Sequence, residues 1–283
     1  SAMSGPAMAV AIGYALQSPP LVLFSLITVG FASNAMGGAG GPLAVYVIAI
    51  IAAELGKAVS KETKIDILVT PLVTIGAGIL VAAGIAPALG AAAMKIGALI
   101  MAATNLQPFL MGIVVSVLMG MILTLPISSA ALGVILNLSG LAAGAATIGC
   151  CCNMIGFAVA SWRENKFSGF LAQGIGTSML QIPNIVRRPL IWLPVILSSA
   201  VLGPIGTMLL HMTNNATGSG MGTAGLVGPL MTWQVMTQSE AGVIVLGKII
   251  LIQFILPAAV TLLISEFMRK KKWIRQGDMK LEL

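Results

Sequence analysis

Residues 211–229 read His211-Met-Thr-Asn-Asn-Ala-Thr-Gly-Ser-Gly-Met-Gly-Thr-Ala-Gly-Leu-Val-Gly-Pro229, the densest polar and glycine-rich stretch of the chain. Asn214, Asn215, Thr217, Ser219 and Thr223 bring neutral donors and acceptors. Gly218, Gly220, Gly222, Gly225 and Gly228 leave backbone N–H and C=O groups uncovered. This set suits a polyhydroxylated solute, which needs many neutral hydrogen bonds and no ion pair. The plainer alternative is an extracellular loop with ordinary turn glycines. Apolar residues resume directly and Pro229 closes the motif, which favours the binding reading.

A second polar stretch runs from Phe167 through Ser178. Gly169, Gly174 and Gly176 permit a tight turn, and Gln173, Thr177 and Ser178 are polar. Gln181-Ile-Pro-Asn184 follows at its base, where Gln181 and Asn184 could touch a solute or form a gate. Asn105-Leu-Gln-Pro108 and Pro126-Ile-Ser-Ser129 fall between apolar segments. Each is either a short turn, with Pro108 starting a helix, or a helix end whose Asn105, Gln107, Ser128 and Ser129 face a cavity. Asn137 and Asn153 lie inside apolar runs and must find partners there.

Other chemistry finds no anchor. His211 is the only histidine, with no second His or free thiol nearby in sequence, so no metal ligation is expected. Cys150, Cys151 and Cys152 are consecutive; on a helix they point about 100° apart and cannot share a tetrahedral ion. No phosphate loop, HExxH helix or GxSxG elbow is present, so neither a cofactor nor catalysis by the chain itself is expected. Glu54 sits beside Lys57 at an interface, Lys95 can snorkel, and Lys248 lies mid-segment with no evident partner.

The elements that must position these residues are membrane helices. Only 8% of residues are charged, 58% are hydrophobic, and mean hydropathy is +1.02. Soluble helices need a solvated face, and long stretches here offer none. The apolar segments read as 6–16, 20–34, 41–55, 66–88, 89–105, 108–127, 130–160, 167–183, 189–210, 222–238 and 240–265. In the longest of the middle segments, 130–160, Gly140, Gly144 and Gly149 are the expected points of break or bend. A crossing takes about 20 residues, so the expectation is an all-α polytopic protein of about eight to ten crossings. It forms one membrane-embedded domain over 1–283. The first apolar stretch, 6–16, is short and no charged region precedes it, which makes a poor signal peptide; the natural N-terminus is expected to lie further upstream.

Net charge is +7, with Arg269, Lys270, Lys271, Lys272, Arg275 and Lys280 near the end. A basic run just past an apolar segment reads as a cytoplasmic flank on anionic lipid, making 269–283 a cytoplasmic tail and excluding nucleic acid as partner. The other basic loops are Lys57/Lys61/Lys64, Arg163/Lys166 and Arg187/Arg188. Placing all of them on one side requires even crossings between them. Segments 66–88, 89–105, 108–127 and 130–160 supply four. The single segment 167–183 must then enter and return as a re-entrant hairpin. By the same count 211–239 dips from the opposite face. Paired interrupted segments of this kind point to a transporter's binding site.

Taken in order, Asn105-Leu-Gln-Pro-Phe-Leu-Met-Gly112, Pro126-Ile-Ser-Ser-Ala-Ala131, Gly140-Leu-Ala-Ala-Gly-Ala-Ala146, Asn165-Lys166, Gln181-Ile-Pro-Asn184 and Gly220-Met-Gly-Thr-Ala-Gly-Leu-Val-Gly-Pro229 carry a resemblance. Over roughly residues 30–240 the chain resembles the membrane subunit (IIC) of the phosphoenolpyruvate-dependent sugar phosphotransferase system, in the branch of perfringolysin O regulator-like proteins. The resemblance implies a multi-pass protein of the bacterial inner membrane, a homodimer with a scaffold and a mobile substrate domain, and an elevator-like shift of the solute. It also implies cytoplasmic phosphotransferase subunits as partners. The better-known sugar carriers hold a Glu and a His at the sugar site; here the glycine-rich stretch has no acid, and His211 precedes it. The function expected is alternating-access transport of a small, polar, sugar-like solute. The alternatives are a sensor that keeps the fold without transport, and a channel, which lacks a charged ring.

Overall fold

The computed structural model describes residues 3–281, and every regular element among them is helical. The chain divides into two compact units: Ser1–Ile96 with Pro126–Ser128, and Gly97–Leu125 with Ser129–Leu283.

The first unit holds α1 (Ser4–Ala15), α2 (Pro20–Gly37), α3 (Gly41–Val59) and most of α4 (Asp66–Thr104). Prolines open α2 and α3, where a missing N–H does no harm. On α3 the buried set is Gly41, Ala44, Val45, Ile48, Ala49, Ala52, Ala53 and Gly56. The steps of three and four make a single stripe, and its small residues let helix backbones approach closely. Lys57 pairs with Glu54 at 2.6 Å and donates to the Leu16 carbonyl, fastening this end of α3 to α1.

The second unit holds α5 (Pro108–Thr124), α6 (Ser129–Ile135), α7 (Gly140–Ala160), α8 (Trp162–Leu171), α9 (Ile182–Arg187), α10 (Leu193–Pro204), α11 (Ala216–Ser219), α12 (Val227–Met236), α13 (Gly242–Ile249) and α14 (Leu256–Lys270). Helix α7 is its axis, buried along almost its whole length and packed by α5, α10 and α14. Three π-helical stretches, Ala172–Gly176, Ile205–Leu209 and Ile250–Ile255, all fall in this unit. The last precedes Pro257, which has no N–H to give the Gln253 carbonyl, so the ladder widens there.

Five helical runs among the described residues are long and apolar enough to cross a membrane: Pro20–Val59, Asp66–Thr104, Gly140–Ala160, Pro189–Leu209 and Gly242–Lys270; Pro108–Thr124 is a shorter apolar helix. The structure corrects the segment reading in two places. Residues 66–88 and 89–105 are one continuous helix of 39 residues running through Pro71 and Pro87. At 1.5 Å per residue it is about 58 Å long, nearly twice an apolar bilayer core. A proline removes one hydrogen bond without having to end an apolar helix, so Pro87 and the flanking glycines mimicked a turn. The four crossings counted between the first two basic loops reduce to α4, α5 and α7 with the seven-residue α6, and the parity count fails as drawn. The segment 130–160 does break, but at the left-handed Asn137 and Gly140, not at Gly144 or Gly149. Asn137 thus sits exposed in the turn rather than inside a helix.

Gly149 is where α5 and α7 cross most closely; a Cβ there would overlap the Ser116 carbonyl. Gly149→Val forces these helices apart and is expected to lower stability by about 1–3 kcal/mol. Thermal unfolding in detergent measures it, and an unchanged midpoint would count against this packing.

Candidate functional site

Both polar stretches interrupt helices. Helix α8 passes into the π turn Ala172–Gly176, the backbone straightens at Thr177, and a 3-10 turn (Ser178–Gln181) leads into α9. The Thr177 hydroxyl accepts from the Met179 N–H at 3.1 Å, which caps the new turn. In the other stretch α11 gives way to turns at Gly220–Thr223, and the left-handed Gly225 and Leu226 lead into α12. Neither 167–183 nor 222–238 is an uninterrupted helix.

The two interruptions meet. The Thr223 hydroxyl donates to the Gly174 carbonyl at 2.6 Å. Both lie against α7. Gly222 has φ +53°, and a Cβ on it would stand 2.8 Å from the Cys150 backbone carbon, so both conformation and space require glycine. Cys150 is at the midpoint of α7, a helix of 21 residues and about 31 Å. Thr147, Cys150 and Met154, spaced three and four, form the face that meets this tip. Thr147 Oγ1 donates to the Gly218 carbonyl, Cys150 Sγ to the Ser219 carbonyl, and Thr223 Oγ1 lies 3.5 Å from Met154 Sδ. From the other stretch, Ser178 Oγ lies 2.9 Å from Thr124 Oγ1 on α5, which donates to Asn153 Oδ1 on α7. Trp192 Nε1 reaches the same oxygen, and Asn153 Nδ2 reaches the Gly149 carbonyl and Ser199 Oγ. Asn153 therefore finds the partners its burial demands.

The expected site residues divide clearly. Asn214, Ser219 and Thr223 are buried: Asn214 against Thr147 and Gly228, Ser219 against Cys150, and Thr223 against Gly174 and Met154. Asn214 Nδ2 lies within reach of Thr147 Oγ1, Thr232 Oγ1 and the Gly228 carbonyl, while Asn214 Oδ1 accepts from the Asn215 N–H. Asn215 caps α11 through the Gly218 N–H, and Ser129 donates to the Gly220 carbonyl at 2.6 Å. Thr217, Gly176 and Gly225 are exposed, and Gly228 is held by the Gly222 carbonyl. Asn105 and Gln107 are exposed at the turn before α5, away from this gathering in sequence order; Gln107 lines a cavity of about 310 Å³ with Thr207 and His211. Ser128 belongs to the first unit, where its N–H donates to the Ala39 carbonyl. Lys248 has the partner the sequence did not disclose, Glu240, with both carboxylate oxygens within 2.8 Å.

Gln181 and Asn184 meet an element that sequence reading missed. The tail after α14 folds back on the second unit instead of trailing free. Gln181 and Asn165 donate to the Met279 carbonyl, Asn184 donates to the Lys280 carbonyl, and the Leu281 N–H donates to Asn165. Gln181 also joins Gln173 and Asn184, so three amides form one chain. Met279 is fully buried. The tail turns on the nearly buried pair Arg269–Glu164, whose carboxylate also accepts from the Gly277 N–H. Asn184 and Thr177 line a cavity of about 450 Å³ with Arg187 and Lys280. Among the described residues no cluster of three or more His, Cys, Asp or Glu could hold a metal ion.

An all-α chain with long apolar helices and two interrupted stretches abutting on a buried axis is a polytopic membrane protein. The family model described as Phosphotransferase system, EIIC matches residues 1–281. The chain belongs to that family, and so to the sugar-transport permeases of the membrane. No curated protein and no solved structure matches it.

Asn214→Ala leaves the Asn215 N–H and the Thr147 and Thr232 hydroxyls short of a partner. It is expected to lower stability by about 1–3 kcal/mol. Thermal unfolding in detergent reads the change, and wild-type stability would mean that Asn214 organises nothing.

Proposed function

We propose that the second unit carries a small, polar, sugar-like solute across the membrane by alternating access, with the solute held between the tips of the two interrupted stretches. The observation behind this reading is the Thr223–Gly174 hydrogen bond against the midpoint of α7. A spanning helix of that length has its midpoint near the bilayer centre. Two broken backbones that converge there are re-entrant hairpins, and irregular backbone at such depth belongs where it lines a route for solute. The groups on offer are hydroxyls, amides and carbonyls without a charge, which matches a sugar's hydroxyls.

In this arrangement the tips are closed on each other. Solute hydroxyls take over the partners that Thr223 and Gly174 give one another, with Ser219, Asn214 and Asn215 behind them. Gln181 and Asn184 stand at the base of the inner hairpin as a gate, with the docked tail across them. The first unit serves as scaffold and homodimer contact. Helix α4 suits that role: only 22% of its most apolar stretch is buried within the chain. The elevator shift moves the second unit. Cytoplasmic phosphotransferase subunits act on the delivered sugar, and the basic tail supports a C-terminus on their side of the bacterial inner membrane.

Equilibrium binding and proteoliposome flux with a panel of labelled sugars test this. The wild type is expected to bind and move at least one sugar. Thr223→Val, which keeps shape and loses the hydroxyl, is expected to weaken binding about tenfold. Asn215→Ala is expected to weaken it also, with the fold retained. Unchanged affinity in both variants would overturn the site, and binding without flux would leave a sensor.

A further inference from the structure

Two cavities of the second unit adjoin at Arg163. One, of about 400 Å³, is lined by Arg163, Arg269, Lys272, Ile274, Arg275 and Gln276. The other, of about 450 Å³, is an apolar groove formed by Val159, Ala160, Trp162, Phe170 and Leu262, with Arg163 and Glu266 at its edge. Trp162 and Phe170 meet edge to face at 5.7 Å and wall the groove.

The basic cavity is not neutralised from within. Arg163 pairs with Glu266 and Arg269 with Glu164. Among the described residues Lys272 and Arg275 have no carboxylate within salt-bridge distance, so two positive charges remain in excess. The Arg269 side chain is only 9% exposed, and its Nε is a buried donor without an acceptor. That atom has no exposed surface, so an anion in the cavity would act on the Arg269 charge through space rather than through this N–H. The surroundings are those of a bilayer surface: Trp162 and Trp273 are about half exposed, and Lys271 lies over the Phe267 ring at 6.0 Å. Exposed tryptophans beside basic residues mark headgroup level.

A basic cavity joined to an aromatic-walled apolar groove has the shape and polarity of one amphiphile. We propose that this junction of α8, α14 and the returning tail binds a single anionic phospholipid, its phosphate among Arg269, Lys272 and Arg275 and an acyl chain in the groove beside Trp162 and Leu262. Free phosphate shares the headgroup chemistry but leaves the groove empty. The site also bears on the tail, because Arg269 and Glu164 are the pair on which the tail turns. Lipid occupancy therefore favours the docked tail over Gln181 and Asn184.

Native mass spectrometry of the full chain, with phosphatidylglycerol or phosphatidylcholine added, tests the site. The wild type is expected to retain one phosphatidylglycerol under conditions that strip phosphatidylcholine. At about 1 kcal/mol per basic residue, the Lys272→Gln/Arg275→Gln double variant is expected to bind it roughly 10- to 30-fold more weakly. Leu262→Trp fills the groove without changing charge, and the same loss is expected. Millimolar inorganic phosphate is expected to displace no lipid. Equal retention of phosphatidylcholine, or full retention by both variants, would overturn the proposal. Displacement by inorganic phosphate would overturn the lipid as its ligand.

Discussion

Every backbone N–H and C=O held away from water must find a partner, and in an apolar solvent nothing outside the protein supplies one. That constraint shapes the second unit. Its interrupted stretches free carbonyls at Gly174, Gly218, Ser219 and Gly220, and each is met by a hydroxyl or thiol from Thr223, Thr147, Cys150 or Ser129. The partners come from one face of α7, from the start of α6 and from the opposing stretch. Breaking the helices and satisfying the broken ends are therefore one design. The groups that close the tips on each other are also those that could turn toward a solute.

Such closure needs helices that approach closely. Gly149 and Gly222 have no room for a side chain, the first beneath Ser116 and the second beneath Cys150. In the first unit the small-residue stripe of α3 plays the same part. Without water to drive helices together, close contact and interhelical hydrogen bonds must hold them, and both features were visible as glycine, alanine and serine in apolar runs. The three cysteines fit this account. They are buried along α7 without a disulfide, and Cys150 lends its Sγ to the Met119 and Ser219 carbonyls.

Much of this was legible in the sequence, and what was not has local causes. The interruption of 211–239 showed in its alternating glycines, of which Gly222 and Gly225 take a left-handed φ that few residue types tolerate, while Gly174, Gly176 and Thr177 marked that of 167–183 without any positive φ of their own. The continuity of α4 past residue 88 was not legible: a proline such as Pro87 signals a stop in water, but apolar surroundings leave an α-helix few alternatives. The docked tail was not legible either. Its carbonyls are held by Asn165, Gln181 and Asn184, roughly a hundred positions away, and a carbonyl has no sequence signature. Its basic residues pointed to lipid, which described the charge and missed the fold. The amides expected at the solute site are spoken for in this conformation, Gln181 and Asn184 by the tail and Asn214 by Thr147, Thr232 and Gly228.

The central claim is that two broken helices touch at the middle of the bilayer, across the midpoint of α7. An experimental density map of the protein in a lipid nanodisc, with the headgroup layers visible, tests it most directly. The account predicts Gly174 and Thr223 at equal distance from both headgroup layers, within a few ångströms. Tips lying at headgroup level, with α7 displaced along the membrane normal or tilted out of it, would contradict it.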